Sequence, residues 1–146
     1  MTNTQQQTIP TAYSCEANVD STIAYMGSLM TFLAKGSETS GRFALMAYHT
    51  KPGNEPPPHV HEWEHELYFV LEGTMRLYCE DKILDIGAGD VVFLPQGKPH
   101  AFTCTSNVFV QATGKHAVGL DSYFLAMGEP ATSIGSARIC HHVCGR

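Results

Sequence analysis

Basic side chains are scarce in this chain. Nine Lys and Arg stand against 14 Asp and Glu, the formal net charge is −5, and the nine are scattered along the sequence. Without a cationic stripe there is no electrostatic footprint for nucleic acid, and no nucleic-acid partner is expected. No apolar run reaches the length that crosses a bilayer, and the opening Met-Thr-Asn-Thr-Gln-Gln-Gln has no basic-then-apolar leader, so a cytoplasmic protein with no membrane partner is expected. Cysteine is sparse and irregular: Cys15, Cys79, Cys104, Cys140 and Cys144 are odd in number and follow no framework spacing, which fits a reducing compartment without disulfides. No internal repeat is evident, which argues against two barrels in one chain. The 146 residues are read as one domain, with a core over about residues 20–132, a polar Gln-rich N-terminal arm and a short C-terminal tail. A chain of this length buries roughly two-thirds of its unfolded surface in a single core.

What is present is a succession of short β-prone segments. Two strands are expected between Ile23 and Leu33, a turn over Lys35 to Gly41, and a strand from Arg42 to Lys51 that enters the Pro/Gly-rich connection Pro52 to Pro58. After a strand from Glu66 to Leu71 that ends at Gly73, further pieces follow at Thr74 to Cys79, Ile83 to Ile86, Asp90 to Leu94 and Ala101 to Thr113. Turn signals every eight to twelve residues or so indicate an all-β sandwich or barrel. Helical content is confined to Leu120 to Met127, with Asp121 or Ser122 as the expected cap and Gly128 as the stop. The ending Cys140-His-His-Val-Cys144 has metal-site residue types, but no partner framework to hold an ion, and is read as a tail.

Two segments carry the chemistry. The first runs from Gly53 through Pro56-Pro-Pro-His59-Val-His61 to Glu66 and Gly73, and the second from Gly89 through Pro95 and Gly97 to His100. Side chains two apart on a strand share a face, so His59 and His61 can both offer a ring nitrogen to one ion. Glu66 follows His61 by an odd number of residues, so a bend within Glu62-Trp63-Glu64-His65 must reset the alternation. Trp63 and His65 are accordingly read as bend or surface residues. His100 arrives from a distant strand, as a sheet that curls round on itself requires. Three imidazoles and a carboxylate suit iron, nickel, copper, manganese or zinc and are too oxygen-poor for calcium. Four protein ligands leave one or two positions open on an ion that takes five or six, the mark of a catalytic rather than a structural metal.

The two segments resemble the paired motifs of the cupin superfamily, Gly-x5-His-x-His-x4-Glu-x6-Gly and Gly-x5-Pro-x-Gly-x2-His, with every fixed position matched. The flanks Gly27 to Gly36, Gly41 to Leu45 and Met127 to Pro130 resemble those of single-domain cupins grouped with quercetin 2,3-dioxygenase. Cys104 departs from the asparagine that many cupins carry there. The resemblance implies a cupin-type double-stranded β-helix, a jelly-roll barrel, to which the short C-terminal helix read above is added. It also implies one divalent transition metal per chain, iron(II) first and nickel, manganese, copper or zinc as alternatives, held by His59, His61, Glu66 and His100. Glu66 would double as the catalytic base, and a small-molecule substrate would react with O2.

Alternation places Tyr68 and Val70 on the face of Glu66, and Phe102 and Cys104 on that of His100. Met46 and Tyr48 lie on the strand feeding the proline-rich connection. Met46, Tyr48, Tyr68 and Phe102 are therefore the expected substrate contacts, with barrel core as their other role. Only Arg42 and Arg76, among the arginines, sit on expected barrel strands, which ranks decarboxylation of oxalate-like acids lower. Three readings follow: a dioxygenase for a flavonol-like, diketone-like or other enolisable substrate; a non-oxidative isomerase, cyclase or decarboxylase; and a ligand-binding module. A homodimer is expected, with the N-terminal arm adding a strand to a neighbour's exposed sheet edge.

Overall fold

The computed structural model describes residues 11–106, 110–116 and 119–134, the segment 110–116 through its backbone alone. The Gln-rich start and the Cys140 to Cys144 ending lie outside the described residues, and with them the strand-adding arm.

Among the described residues one 3-10 turn, Val19–Ser21, precedes ten strands and one helix. The strands are β1 Thr22–Tyr25, β2 Ser28–Ala34, β3 Ala44–Thr50, β4 Glu66–Glu72, β5 Thr74–Cys79, β6 Lys82–Gly87, β7 Val91–Leu94, β8 His100–Cys104, β9 Val110–His116 and β10 Glu129–Pro130, with helix α1 at Leu120–Met127 between the last two. Every pairing among the described residues is antiparallel. One sheet runs β10-β1-β2-β3-β9-β4-β7 and the other β6-β5-β8. The chain passes from the first sheet to the second at Gly73, whose φ of 83° turns β4 into β5 within a single residue.

The alternation read from the sequence holds where it matters. Glu66, Tyr68 and Val70 of β4, Met75 and Leu77 of β5, Val92 and Leu94 of β7, and His100, Phe102 and Cys104 of β8 all point inward and are buried. The apolar members of this set form one cluster bridging the two sheets. A second cluster, Ile23, Met30, Phe32 and Met46, fills the other end under β1 to β3. The result is an all-β jelly roll with Glu66 and His100 buried beside an apolar cluster.

Two details depart from expectation. Helix α1 is capped by Gly119 (φ 118°), not by Asp121 or Ser122. Asp121 lies two residues further in, within the first turn, and its carboxylate reaches back to accept the Gly119 N–H at 3.0 Å and the Gly36 N–H at 2.8 Å. A side chain that tethers a loop 85 residues away leaves no local trace in the sequence. The Met127 to Pro130 turn includes a two-residue strand, with Glu129 and Pro130 pairing Ala24 and Ile23. Proline is tolerated there because this is the sheet edge, where its missing N–H faces no neighbour.

The buried Asp121 therefore staples α1 to the β2–β3 connection. Burial pushes its carboxyl upward, but the N–H groups of Gly36 and Gly119 outweigh burial and hold it below the ordinary carboxylate range. A depressed folded-state value stabilises the fold above the unfolded value and loses that contribution as pH falls through the folded one. Asp121→Ala is expected to cost about 1–3 kcal/mol near neutral pH by stranding the Gly36 N–H. In urea titrations the gap between wild type and variant should narrow once the pH drops below ~3.9, the unfolded value.

Candidate metal centre

The proline-rich connection between β3 and β4 builds one wall of the site. Pro56, Pro57 and Pro58 have no N–H to offer a ladder, so the segment bearing His59 and His61 is extended but not a strand, which corrects the sequence expectation. It is held instead at single points. His59 and His100 exchange backbone hydrogen bonds of 3.0 and 2.9 Å in an isolated antiparallel bridge, and the His61 carbonyl accepts the Gly97 N–H at 2.8 Å. The Glu55 carboxylate ties the same connection to the barrel, accepting the N–H of Gly53 and of Cys104 at 2.8 Å each. A bend at Glu62-Trp63 resets the alternation, and β4 opens with Glu66 pointing inward opposite Leu94. Trp63 is 85% exposed, as a bend residue should be. His65 accepts the Gln96 N–H on Nδ1 at 2.9 Å, away from the cluster.

These elements bring His59, His61, Glu66 and His100 together. One ligand atom from each lies within 4.8 Å of all the others. Glu66 Oε2 stands 3.1 Å from His100 Nε2 and 3.5 Å from His61 Nε2. The outer nitrogens fix the rings. His59 Nδ1 is 2.9 Å from the Pro57 carbonyl and His100 Nδ1 is 3.0 Å from the Lys98 carbonyl. A carbonyl only accepts, so both rings carry hydrogen on Nδ1, and in the neutral form both present an Nε2 lone pair to the centre. His61 Nδ1 lies 3.2 Å from Glu64 Oε1. The inward Nε2 atoms of His61 and His100 are buried and make no aligned hydrogen bond, an expensive arrangement unless a cation lies between them. The donor set therefore fits a divalent transition metal, with each ring oriented from behind as metal-binding histidines are.

Electrostatics differentiate the rings. Burial pushes His59 downward in spite of the Pro57 hydrogen bond, and this downward push favours the neutral ring that can coordinate. His61 is pushed upward by the Glu66 carboxylate in spite of its burial. Burial, reinforced by Glu66, holds the Tyr68 phenol well above its usual range, so that hydroxyl stays protonated beside the carboxylate.

A cavity of about 300 Å³ opens onto His59, His61 and Glu66. Met46, Tyr48, Tyr68 and Phe102 all line it, while Val70 and Cys104 lie deeper in the core. Phe102 takes the rings of Tyr48 and Tyr68 edge-on at 6.3 and 6.0 Å. Sequence reasoning missed the far side of the cavity, where Tyr25 and Met30 from the β1–β2 hairpin meet Tyr123 and Phe124 from α1. Tyr25 packs edge-on against Phe124 at 5.3 Å, and its hydroxyl lies 3.2 Å from that of Tyr123. The hairpin reaches this position through a two-residue turn with Met26 and Gly27 both at positive φ. Any Cβ at Gly27 would stand 2.7 Å from the Asn54 side chain, whose amide donates to the Gly27 carbonyl. No lysine or arginine lines the cavity among the described residues. Arg76, one of the two arginines singled out, is paired with Asp85 on the outside of the smaller sheet at 2.6 and 2.8 Å.

Comparison with known proteins agrees with this geometry. The Cupin domain family matches residues 46–113. Quercetin 2,3-dioxygenase of Bacillus subtilis is 24% identical over 103 residues, 70% of this chain and 30% of that protein. The oxalate-binding protein of Thermotoga maritima is 38% identical over 56 residues, 38% of this chain and 46% of that protein. The matches thus span less than half of either curated relative. Among solved structures, a predicted oxalate decarboxylase from Thermotoga maritima is similar with a TM-score of 0.58 and 25% identity, over 62% of this chain and 80% of the other. The matched span runs from β3 into β9 and includes all four clustered side chains, so the similarity to the Cupin domain family covers the whole of the candidate site.

Proposed function

We propose that this chain is a metal-dependent dioxygenase acting on a hydrophobic, enolisable small molecule of flavonol or diketone type, with iron(II) the first metal to test. The observation that carries the reading is the junction of a three-histidine, one-carboxylate cluster with an apolar cavity that has no basic side chain on its described wall. His59, His61, Glu66 and His100 would hold the ion, which supplies Lewis acidity and an open coordination position for a substrate oxygen and O2. The chain's own residues supply the rest. Met30, Met46, Phe102 and Phe124 offer flat apolar contact to an aromatic body and exclude water from the cluster. Glu66, adjacent to the cavity and 3% exposed, takes the proton of the substrate hydroxyl. The protonated Tyr68 hydroxyl steadies that carboxylate from the same face of β4. The volume lies at the lower end of the roughly 300–1,000 Å³ usual for ligand sites. A compact one- to three-ring molecule fits that space better than a polymer.

The Thermotoga maritima relatives favour a second reading, a binding or non-oxidative role toward a small dicarboxylate. A dianion asks for a fixed cation beyond the metal, and the described cavity wall offers none. Oxygen uptake separates the two. Metal-loaded protein mixed with enolisable phenols should consume O2 in proportion to substrate. Thermal stabilisation by oxalate with no O2 uptake from any phenol or diketone would favour the second reading.

A further inference from the structure

We infer that Glu64 is a positioning residue of the metal centre, its carboxylate accepting the Nδ1–H of His61 and so holding Nε2 of that ring toward the ion. The inference rests on the metal reading above and extends it to a residue outside the four-member cluster.

The three histidines solve the same problem in two ways. His59 and His100 each turn Nδ1 to the carbonyl two residues upstream, Pro57 and Lys98. The equivalent acceptor for His61 is the carbonyl of His59, and that group already receives the His100 N–H at 2.9 Å in the bridge that joins the two ligand segments. His61 therefore takes its acceptor from a side chain. The bend at Glu62-Trp63 swings Glu64, three residues on, back over the ring, with Oε1 3.2 Å from Nδ1. Both side chains are largely buried, at 12% and 16% exposure, so the contact is shielded from the screening that empties surface ion pairs of effect. Nδ1 and Nε2 lie on opposite sides of an imidazole, so Glu64 occupies the back of His61 while Glu66 Oε2 stands 3.5 Å from its front. Glu64 accordingly lies outside the four-residue ligand cluster.

A charged acceptor does more than a carbonyl. It orients the ring, selects the tautomer with a free Nε2 lone pair and increases the electron donation of the ligand, and loss of such a partner typically costs 10- to 100-fold in metal affinity. His61 is thus the clustered histidine whose donor strength a single, largely buried carboxylate would set.

The test titrates metal-free wild type, Glu64→Ala and Glu64→Gln with Ni(II), and follows the His61 ring nitrogens of the metal-free proteins by 15N NMR. Glu64→Ala is expected to bind Ni(II) about 10- to 100-fold more weakly. Glu64→Gln, whose amide oxygen still accepts the Nδ1–H, should recover most of that loss. The His61 signal should change from a single Nδ1–H tautomer in wild type to a mixture in Glu64→Ala, with the melting temperature of the metal-free protein nearly constant. Affinity for Ni(II) within about twofold of wild type in Glu64→Ala, or an unchanged tautomer, would overturn the inference. Failure of the wild type itself to bind Ni(II) would instead sink the metal reading, while the NMR comparison would still decide the tautomer.

Discussion

Glu66→Gln is expected to lower turnover about 10²- to 10⁴-fold, the usual contribution of a positioned general base. The substitution keeps the shape of the side chain, which is buried at the mouth of β4 with 3% exposure, so the fold should survive. It removes the proton acceptor and the negative charge that faces His100 and His61 at 3.1 and 3.5 Å. Three imidazoles remain to hold the ion, so metal content after loading should fall far less than the rate. The measurement is kcat beside metal stoichiometry on the same preparation. Equal losses in both would reduce Glu66 to a ligand and no more.

His100→Ala is expected to lose metal outright, by more than ~100-fold in affinity, because a first-sphere ligand contributes more than the partners behind it. Its ring is the most enclosed of the three, with the side chain 2% exposed, and lies 3.1 Å from Glu66. Wild-type protein should gain about 2.7 kcal/mol of stability when free metal reaches a hundred times its dissociation constant. The variant should show no such gain, and its melting curve should be the same with metal or with chelator. Retention of wild-type stoichiometry in His100→Ala would place the ion elsewhere.

Much of the site was legible because its signals are local. The two-residue spacing of His59 and His61, the odd interval to Glu66 and the bend needed to reconcile them are statements about neighbours in sequence, and the structure brings these groups together. The inward faces of β4 and β8 followed from alternation alone. The missed features are those in which a side chain acts across the fold. Asp121 reads as a helix cap until its contact with Gly36 is seen. Glu55 reads as loop until it meets the N–H of Cys104, 49 residues away. Tyr123 and Phe124 carry a helical pattern that says nothing of the cavity they close. Glu64 reads as part of a polar bend, and its three-residue offset from His61 is the hint in the sequence that it could reach that ring.

The backbone bridge between His59 and His100 has a consequence for how the protein is made. Two of the four clustered groups are brought together by hydrogen bonds between segments 41 positions apart, and β4 and β8 belong to different sheets. Such a contact closes only after the intervening hairpins have assembled, since long loops must be ordered before distant pairings reward them. A nascent or partly unfolded chain therefore offers an ion at most scattered imidazoles. An ion that binds only the assembled cluster would therefore not nucleate folding, and its expected effect is to slow loss of the completed barrel rather than to speed its formation.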